Sequence, residues 1–241
     1  METLPPGLNW RNYGVGTCLT TSKTQVDYLT SLMGNLNYYE ITPGIDDMFR
    51  KHELPQPPLI SIHTREPRDT MKIIKSFYLK YPQFKWITFR DLRNLPRKKF
   101  AEDLSESFVS VWVDDISGFG TFPMESMKCG IPVIGKVPNL KPEWMTEDNG
   151  IWSYDFNQMV DVLGNFVQKW LEDEIPVELY NDMEKTVEKY KKDNFIDSVL
   201  DTFKNINERK ILDVRRNLEK LTPVGPQDET LEGSVNELYN N

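Results

Sequence analysis

The sequence predicts an α/β fold, a Rossmann-like parallel sheet with helices on both faces and a helical C-terminal extension. Three observations carry this. Short, strongly apolar runs at 59–63, 108–113 and 131–134 are separated by stretches of helical periodicity, the pattern of parallel strands covered on both faces. Residues 118–135 pass from a glycine-containing turn into a helix bearing Glu125, stop at Gly130 and resume as an apolar run, which is a strand-loop-helix-strand unit. From Asp155 onward the apolar spacing is helical throughout.

Taken in order, Leu4, Pro5, Pro6 and Gly7 open the chain irregularly, and residues 16–21 form a short strand. Ser22 is the expected N-cap of a helix over 23–33 that Gly34 ends. A strand at 37–42 closes in Pro43, Gly44, Ile45 and Asp46. After the proline-rich spacer 55–58, strands are expected at 59–63, 84–89, 108–113 and 131–135. The helices between them are expected at 69–81, with Met71, Ile74 and Tyr78 on one face, at 96–105 and at 122–129. Three apolar helical faces follow: Phe156, Met159, Val160, Leu163 and Val167; then Leu179, Met183, Val187 and Tyr190; then Ile196, Val199, Leu200, Phe203 and Ile206.

Composition narrows the function. Among 241 residues, 37 acids against 29 bases give a net charge of −8, which argues against non-specific nucleic-acid binding. Residues 222–241 hold Asp228, Glu229, Glu232 and Glu237 with no Lys or Arg, and are expected not to fold. Cys18 and Cys129 make no disulfide framework. His52 and His63 have no Cys or His neighbour, so no structural metal is expected. With no apolar run of membrane-spanning length, no signal-peptide pattern and no Asn-x-Ser/Thr sequon, the expected setting is the cytoplasm.

The unit at 118–135 carries the chemistry. Its glycines let backbone approach a ligand, and the helix opening near Phe122 aims free N–H groups and a partial positive charge at the turn, so an anion such as a diphosphate is the expected ligand. Blander readings stand beside this: a tight structural turn at Gly118, a helix-dipole partner in Glu125, and solvated arginines at 65 and 68. Asp114 and Asp115 form an acidic pair with a remote metal reading and a nearer one as cap or sugar contact. Gly14, Val15 and Gly16 begin a dinucleotide fingerprint that Leu19 breaks. The bases Arg90, Arg93, Arg97, Lys98 and Lys99 read as a solvated face or as a contact to an anionic acceptor, and Trp144 is a candidate wall of the cleft.

Gly118, Phe119, Gly120, Glu125, Met127, Cys129, Gly130, Pro132 and Val133 match in register a segment of the C-terminal nucleotide-sugar-binding domain of GT-B glycosyltransferases, the family-4-like group 1 enzymes, and the chain resembles that domain. The family's segment is Glu-Gly-Phe-Gly, a second Glu eight positions after the first, then Ala-Met-x-Cys-Gly-x-Pro-Val; Ser117 stands where its first Glu would be. The resemblance implies that Glu125 holds the ribose hydroxyls and that Gly118, Phe119, Gly120 and Thr121 meet the phosphates. It implies a basic pair for the diphosphate: counting back from Phe77 puts His63 in the family's Arg position and Arg68 in its Lys position, with Arg65 as a displaced Arg, so Arg65 and Arg68 are the phosphate candidates. Asp114, Asp115 and Ser117 become candidates for the donor sugar, and Asp91 and Leu92 for the nucleobase.

The same resemblance aligns Pro43 to Asp46 with an interdomain hinge, giving a remnant of an acceptor domain at 1–46, the donor domain at 47–175, C-terminal helices at 176–221 and the acidic tail. The implied activity is retaining, metal-independent transfer of a sugar from a nucleotide-sugar co-substrate to the hydroxyl of an unspecified glycan, lipid-linked or small-molecule acceptor, with no cofactor. No general base is evident, and the leaving phosphate can accept the proton. The alternatives are a non-catalytic nucleotide-sugar-binding module completed by another domain or chain, and a sugar-nucleotide epimerase.

Overall fold

A computed structural model describes residues 10–34, 36–52 and 56–221. The expectations for residues 4–7, for Pro55 of the spacer and for the tail 222–241 lie outside them. By internal packing the chain divides into two units, Met1–Leu200 and Asp201–Asn241.

In the first unit a 3-10 turn at Trp10–Tyr13 leads into β1 (Thr17–Thr20), α1 (Lys23–Met33) and β2 (Asn37–Glu40), and β1 and β2 pair in parallel. Ser22 caps α1 as expected, its Oγ accepting from Gln25 N–H, and Gly34 ends the helix at φ 59°. There follow β3 (Leu59–Thr64), α2 (Pro67–Lys80), β4 (Thr88–Asp91), α3 (Arg97–Ser105), β5 (Val109–Val113), α4 (Thr121–Lys128), β6 (Val133–Lys136) and β7 (Ile151–Ser153). Helices α5 (Phe156–Leu171) and α6 (Val177–Glu188) complete the body, and α7 (Lys192–Leu221) runs on into the second unit. The described part of that second unit is helix with Phe203, Ile211, Leu212 and Val214 exposed.

The main sheet is five parallel strands in the order β4-β3-β5-β6-β7. Side chains alternate across it. Ile60, Ile62, Val109, Val111 and Val113 share one core with Ile73 and Phe77 of α2 and with Met159, Val160, Leu163 and Val167 of α5. Trp112 and Val133 share the other with Phe100 and Leu104 of α3, Met124 and Met127 of α4, and Met183 and Val187 of α6. Both faces are therefore covered, as continuous apolar strands require.

Three expectations shift. Helix α2 starts at Pro67 and buries Thr70, Ile73 and Phe77, while Met71 is exposed, because Thr70, a polar residue by type, is held inside by its Oγ1 hydrogen bond with Thr64 Oγ1 at 2.7 Å. The apolar residues expected to start a strand at 84 instead follow a 3-10 turn, Pro82–Phe84, that drops Phe84 and Ile87 into the core, and β4 begins four residues later than expected, at Thr88. Strand β7 was not anticipated. It is three residues long at the sheet edge, and the Trp152 ring lies where a Cβ on Gly135 or Gly150 would be.

The order of the sheet places the site. After β3 the chain adds β4 on one side and then returns to add β5 on the other, so the strand order reverses at β3. The crevice beyond the carboxyl ends of β3 and β5 is the switch point where ligands of open parallel sheets bind.

Candidate functional site

At that crevice lies a cavity of about 390 Å³ between the end of β3, the loop after β5 and the start of α4. Gly120 precedes α4 at φ 77°, a left-handed conformation suited to glycine, and a Cβ there would press on the rings of Trp112 and Trp144. Helix α4 is seated on the sheet by polar contacts. Ser126 Oγ lies 2.7 Å from Ser110 Oγ on β5 and donates to Ile131 C=O at 2.9 Å.

Two arginine-carboxylate pairs line the cavity. Arg65 grips Asp114 with both ends of its fork, Nε to Oδ1 at 2.8 Å and Nη2 to Oδ2 at 3.0 Å. Arg97 Nη2 donates to Glu125 Oε1 at 2.6 Å, its guanidinium lying 4.5 Å above the Phe49 ring. The Glu125 side chain is 2 % exposed. Its burial pushes the carboxyl up from the ordinary glutamate range, and the Arg97 charge and hydrogen bond pull partly against that rise. His63 completes the floor. Its ring is stacked on Phe122 at 5.0 Å, and burial holds the imidazole below the ordinary histidine range.

The sequence candidates divide here. Arg65, Asp114, Ser117, Gly120, Thr121 and Glu125 converge on the cavity. Arg68 does not: it is the second residue of α2, exposed and away from the cavity lining. Asp115 turns to Lys136, 2.6 Å away. Asp91 is held by Arg93; although burial acts against ionisation, these hydrogen bonds bring the carboxyl below its usual range. Leu92 is a core residue.

Phe119 is also in the core, edge-on to Trp144 and Tyr190, and its carbonyl accepts from Trp144 Nε1 at 2.6 Å. Trp144 thus braces the turn from behind and does not wall the cavity. Gly118 serves a close approach within the protein, since a Cβ would overlap the Gln25 side chain, and its carbonyl accepts from Ser22 Oγ at 3.2 Å. Ser117 Oγ accepts from Gly120 N–H at 2.9 Å, which ties off one of the backbone donors expected for phosphate.

Arg97, His63, Phe100 and Trp112 line the cavity without having been assigned to it. The available signals were weak: Arg97 stood in a run of bases, and His63 fell in the Arg position of the resemblance. Three other members of that run are also matched, Arg90 with Asp103 and Glu106, Arg93 with Asp91, and Lys99 with Asp103. Among the described residues no group of three or more His, Cys, Asp or Glu converges as a metal site, and no helix is long and apolar enough to cross a membrane.

No protein-family model matches the chain, and no curated protein matches it by sequence. Solved structures do match in fold. The pneumococcal O-GlcNAc transferase GtfA, in complex with UDP and GlcNAc, superposes with a TM-score of 0.63 at 13% identity over 81% of this chain and 46% of that one. Staphylococcus aureus TarM, in a complex that includes UDP, gives 0.60 at 15% identity over 79% and 44%. A glycosyltransferase from Rickettsia africae gives 0.61 at 10% identity over 84% and 68%. The chain spans about half the length of the first two. Its fold is the Rossmann-like one found in these glycosyltransferases, the fold expected from residues 118–133.

Proposed function

We propose that this chain is the donor-binding part of a glycosyltransferase, transferring a sugar from a nucleotide-sugar to an acceptor hydroxyl with retention and without a metal ion. One observation carries the reading: two guanidinium groups, a buried carboxylate and the start of α4 meet in one cavity at the strand-order switch point of the sheet. As the sugar leaves, charge develops on the diphosphate, and fixed positive groups aimed at it stabilise the transition state more than the ground state. Arg65 and the N–H groups of Thr121 and Phe122 at the start of α4 supply that charge. Glu125, held by Arg97, accepts from the ribose hydroxyls, and the departing phosphate takes the acceptor's proton. The ligands of GtfA and TarM make a uridine diphosphate the first donor base to try. The proposal sets the reaction in the cytoplasm, with residues 47–175 as the donor domain, 1–46 and 176–221 flanking it, and another domain or chain presenting the acceptor.

Calorimetric titration with UDP, GDP, ADP, CDP and dTDP and their sugars, with and without a chelator, tests this. Binding of one nucleotide that survives chelation is expected. Loss on chelation would overturn the metal-free mechanism.

A second reading, a nucleotide-sugar-binding module without transferase activity of its own, is favoured by Ser117. It stands in the position of the family's first acid, and its hydroxyl is engaged by Gly120 N–H. The isolated, monomeric chain is then expected to bind donor yet transfer little or no sugar to an added acceptor, and efficient transfer would exclude this reading.

A further inference from the structure

The proposed donor chemistry leaves one group in the cavity unused. His63, near the end of β3, is clamped between two rings, stacked on Phe122 at 5.0 Å and edge-on to Phe100 at 6.0 Å. Its Nδ1 is buried with no hydrogen-bond partner, and the residue lines the cavity. The charged groups around it come from every neighbouring strand end: Arg65 after β3, Asp91 and Arg93 at the end of β4, Asp114 after β5. Arg97 and Glu125 face the same space from α3 and α4. The three carboxylates are each bonded to one of the three arginines, Asp91 to Arg93, Asp114 to Arg65 and Glu125 to Arg97. Burial is the largest influence on the imidazole; Asp114 and Asp91 favour its charged form, Arg93 and Arg65 oppose it, and the ring sits below its ordinary range.

A nucleotide-sugar carries two phosphate charges with no cation of its own, and in a partly desolvated cavity these act strongly on a nearby titratable group. We propose that His63 is a ligand of the donor's diphosphate and takes up a proton as the diphosphate enters, so that nucleotide-sugar binding is coupled to pH. This rests on the donor-binding reading above. Complexation then raises the imidazole from a value below 6.5, the ordinary one, to a higher value. The extra affinity is fully present below the unliganded value and is lost as pH rises through the value in the complex.

Nucleotide-sugars suit the test because their phosphodiester groups do not titrate near neutrality. UDP-, GDP-, ADP-, CDP- and dTDP-glucose and UDP-N-acetylglucosamine are titrated calorimetrically between pH 5.5 and pH 8 in buffers of differing ionisation enthalpy, which counts protons taken up. The expected result is proton uptake by the wild type, with affinity falling by up to about tenfold per pH unit across the window. His63→Gln, which keeps a hydrogen-bond donor and cannot be charged, is expected to bind with no proton uptake and a flat pH profile. Should that variant not fold, proton NMR of the wild type reads the same event: the chain has two histidines, and His52→Gln assigns the resonances. Binding without proton uptake, uptake that persists in His63→Gln, or a His63 resonance whose titration does not shift on ligation overturns this inference and leaves donor binding standing. If no nucleotide-sugar binds, the donor reading falls and this inference with it.

Discussion

The described residues contain two parallel sheets built by the same strand-helix-strand logic, and they are held in different ways. In the five-stranded sheet every residue of β5 is buried, with helices packed on both faces. In the β1–β2 pair Leu19 is 47 % exposed, and α1 buries only Leu29. A two-stranded parallel sheet with one helix has an uncovered face, so apolar burial contributes little there. What the small sheet has is a polar seam to the site. Ser22 Oγ donates to Gly118 C=O, Lys23 N–H donates to Glu143 Oε1, and Thr24 Oγ1 donates to Glu143 Oε2 and Lys141 C=O. Packing sustains the scaffold, while hydrogen bonds attach the piece that borders the functional turn.

The sharpest test of this contrast is stability. Ile62→Ala, in the interior strand β3, is expected to cost about 2–5 kcal/mol in urea denaturation, whereas Leu19→Ala stays within about 0.5 kcal/mol. Equal losses would mean that the two sheets are packed alike.

The next effect falls on binding. Glu125→Gln is expected to weaken nucleotide affinity by about 1–3 kcal/mol, the range for losing a charged hydrogen-bond partner. Because burial raises the Glu125 carboxyl above its unfolded value, its ionised form opposes folding. Stability attributable to this group is therefore greatest below the ordinary glutamate value and declines as pH rises through the folded-state value. The variant should accordingly melt no lower than the wild type at neutral pH, and thermal scans across pH beside calorimetry separate the two effects. Unchanged affinity would reduce Glu125 to a partner of Arg97.

A third change probes the seam. Gly118→Ala drives a Cβ into the Gln25 side chain and is expected to destabilise by about 1–3 kcal/mol, with Gln25→Ala in the same chain restoring part of the loss. Additive losses in the double variant would show that the two residues do not press on one another. The smallest effect needs no mutation. Backbone amides of residues 17–40 should exchange faster than those of 59–64, 109–113 and 133–136, and equal protection would erase the distinction between the sheets.

Legibility in the sequence follows the same division between packing and polar contact. Strands β3, β5 and β6 and the start of α4 were readable because apolar runs and a left-handed glycine are local signals. The buried face of α2 was misread because Thr70 enters the core through a partner six residues away, which residue type does not reveal. Helix α4 and Glu125 were recognisable through their spacing with Cys129, Gly130 and Pro132. Arg97 was not, since its partner lies 28 positions downstream and only the fold brings them together. Arg68 is placed by a spacing rule, and the first turn of α2 leaves it exposed and outside the cavity lining.

The Ser110–Ser126 hydroxyl pair has a consequence for tolerance along the helix axis. Apolar contacts carry little directional preference, whereas a hydrogen bond at 2.7 Å fixes both distance and angle. The pair therefore works as a detent that indexes α4 against β5. Thr121 lies five residues before Ser126, about 7.5 Å along the helix. That short, stiff lever sets how far the first N–H groups of α4 stand above the end of β5, so under the proposed donor binding the depth of the phosphate seat is gauged by two serines outside the cavity lining.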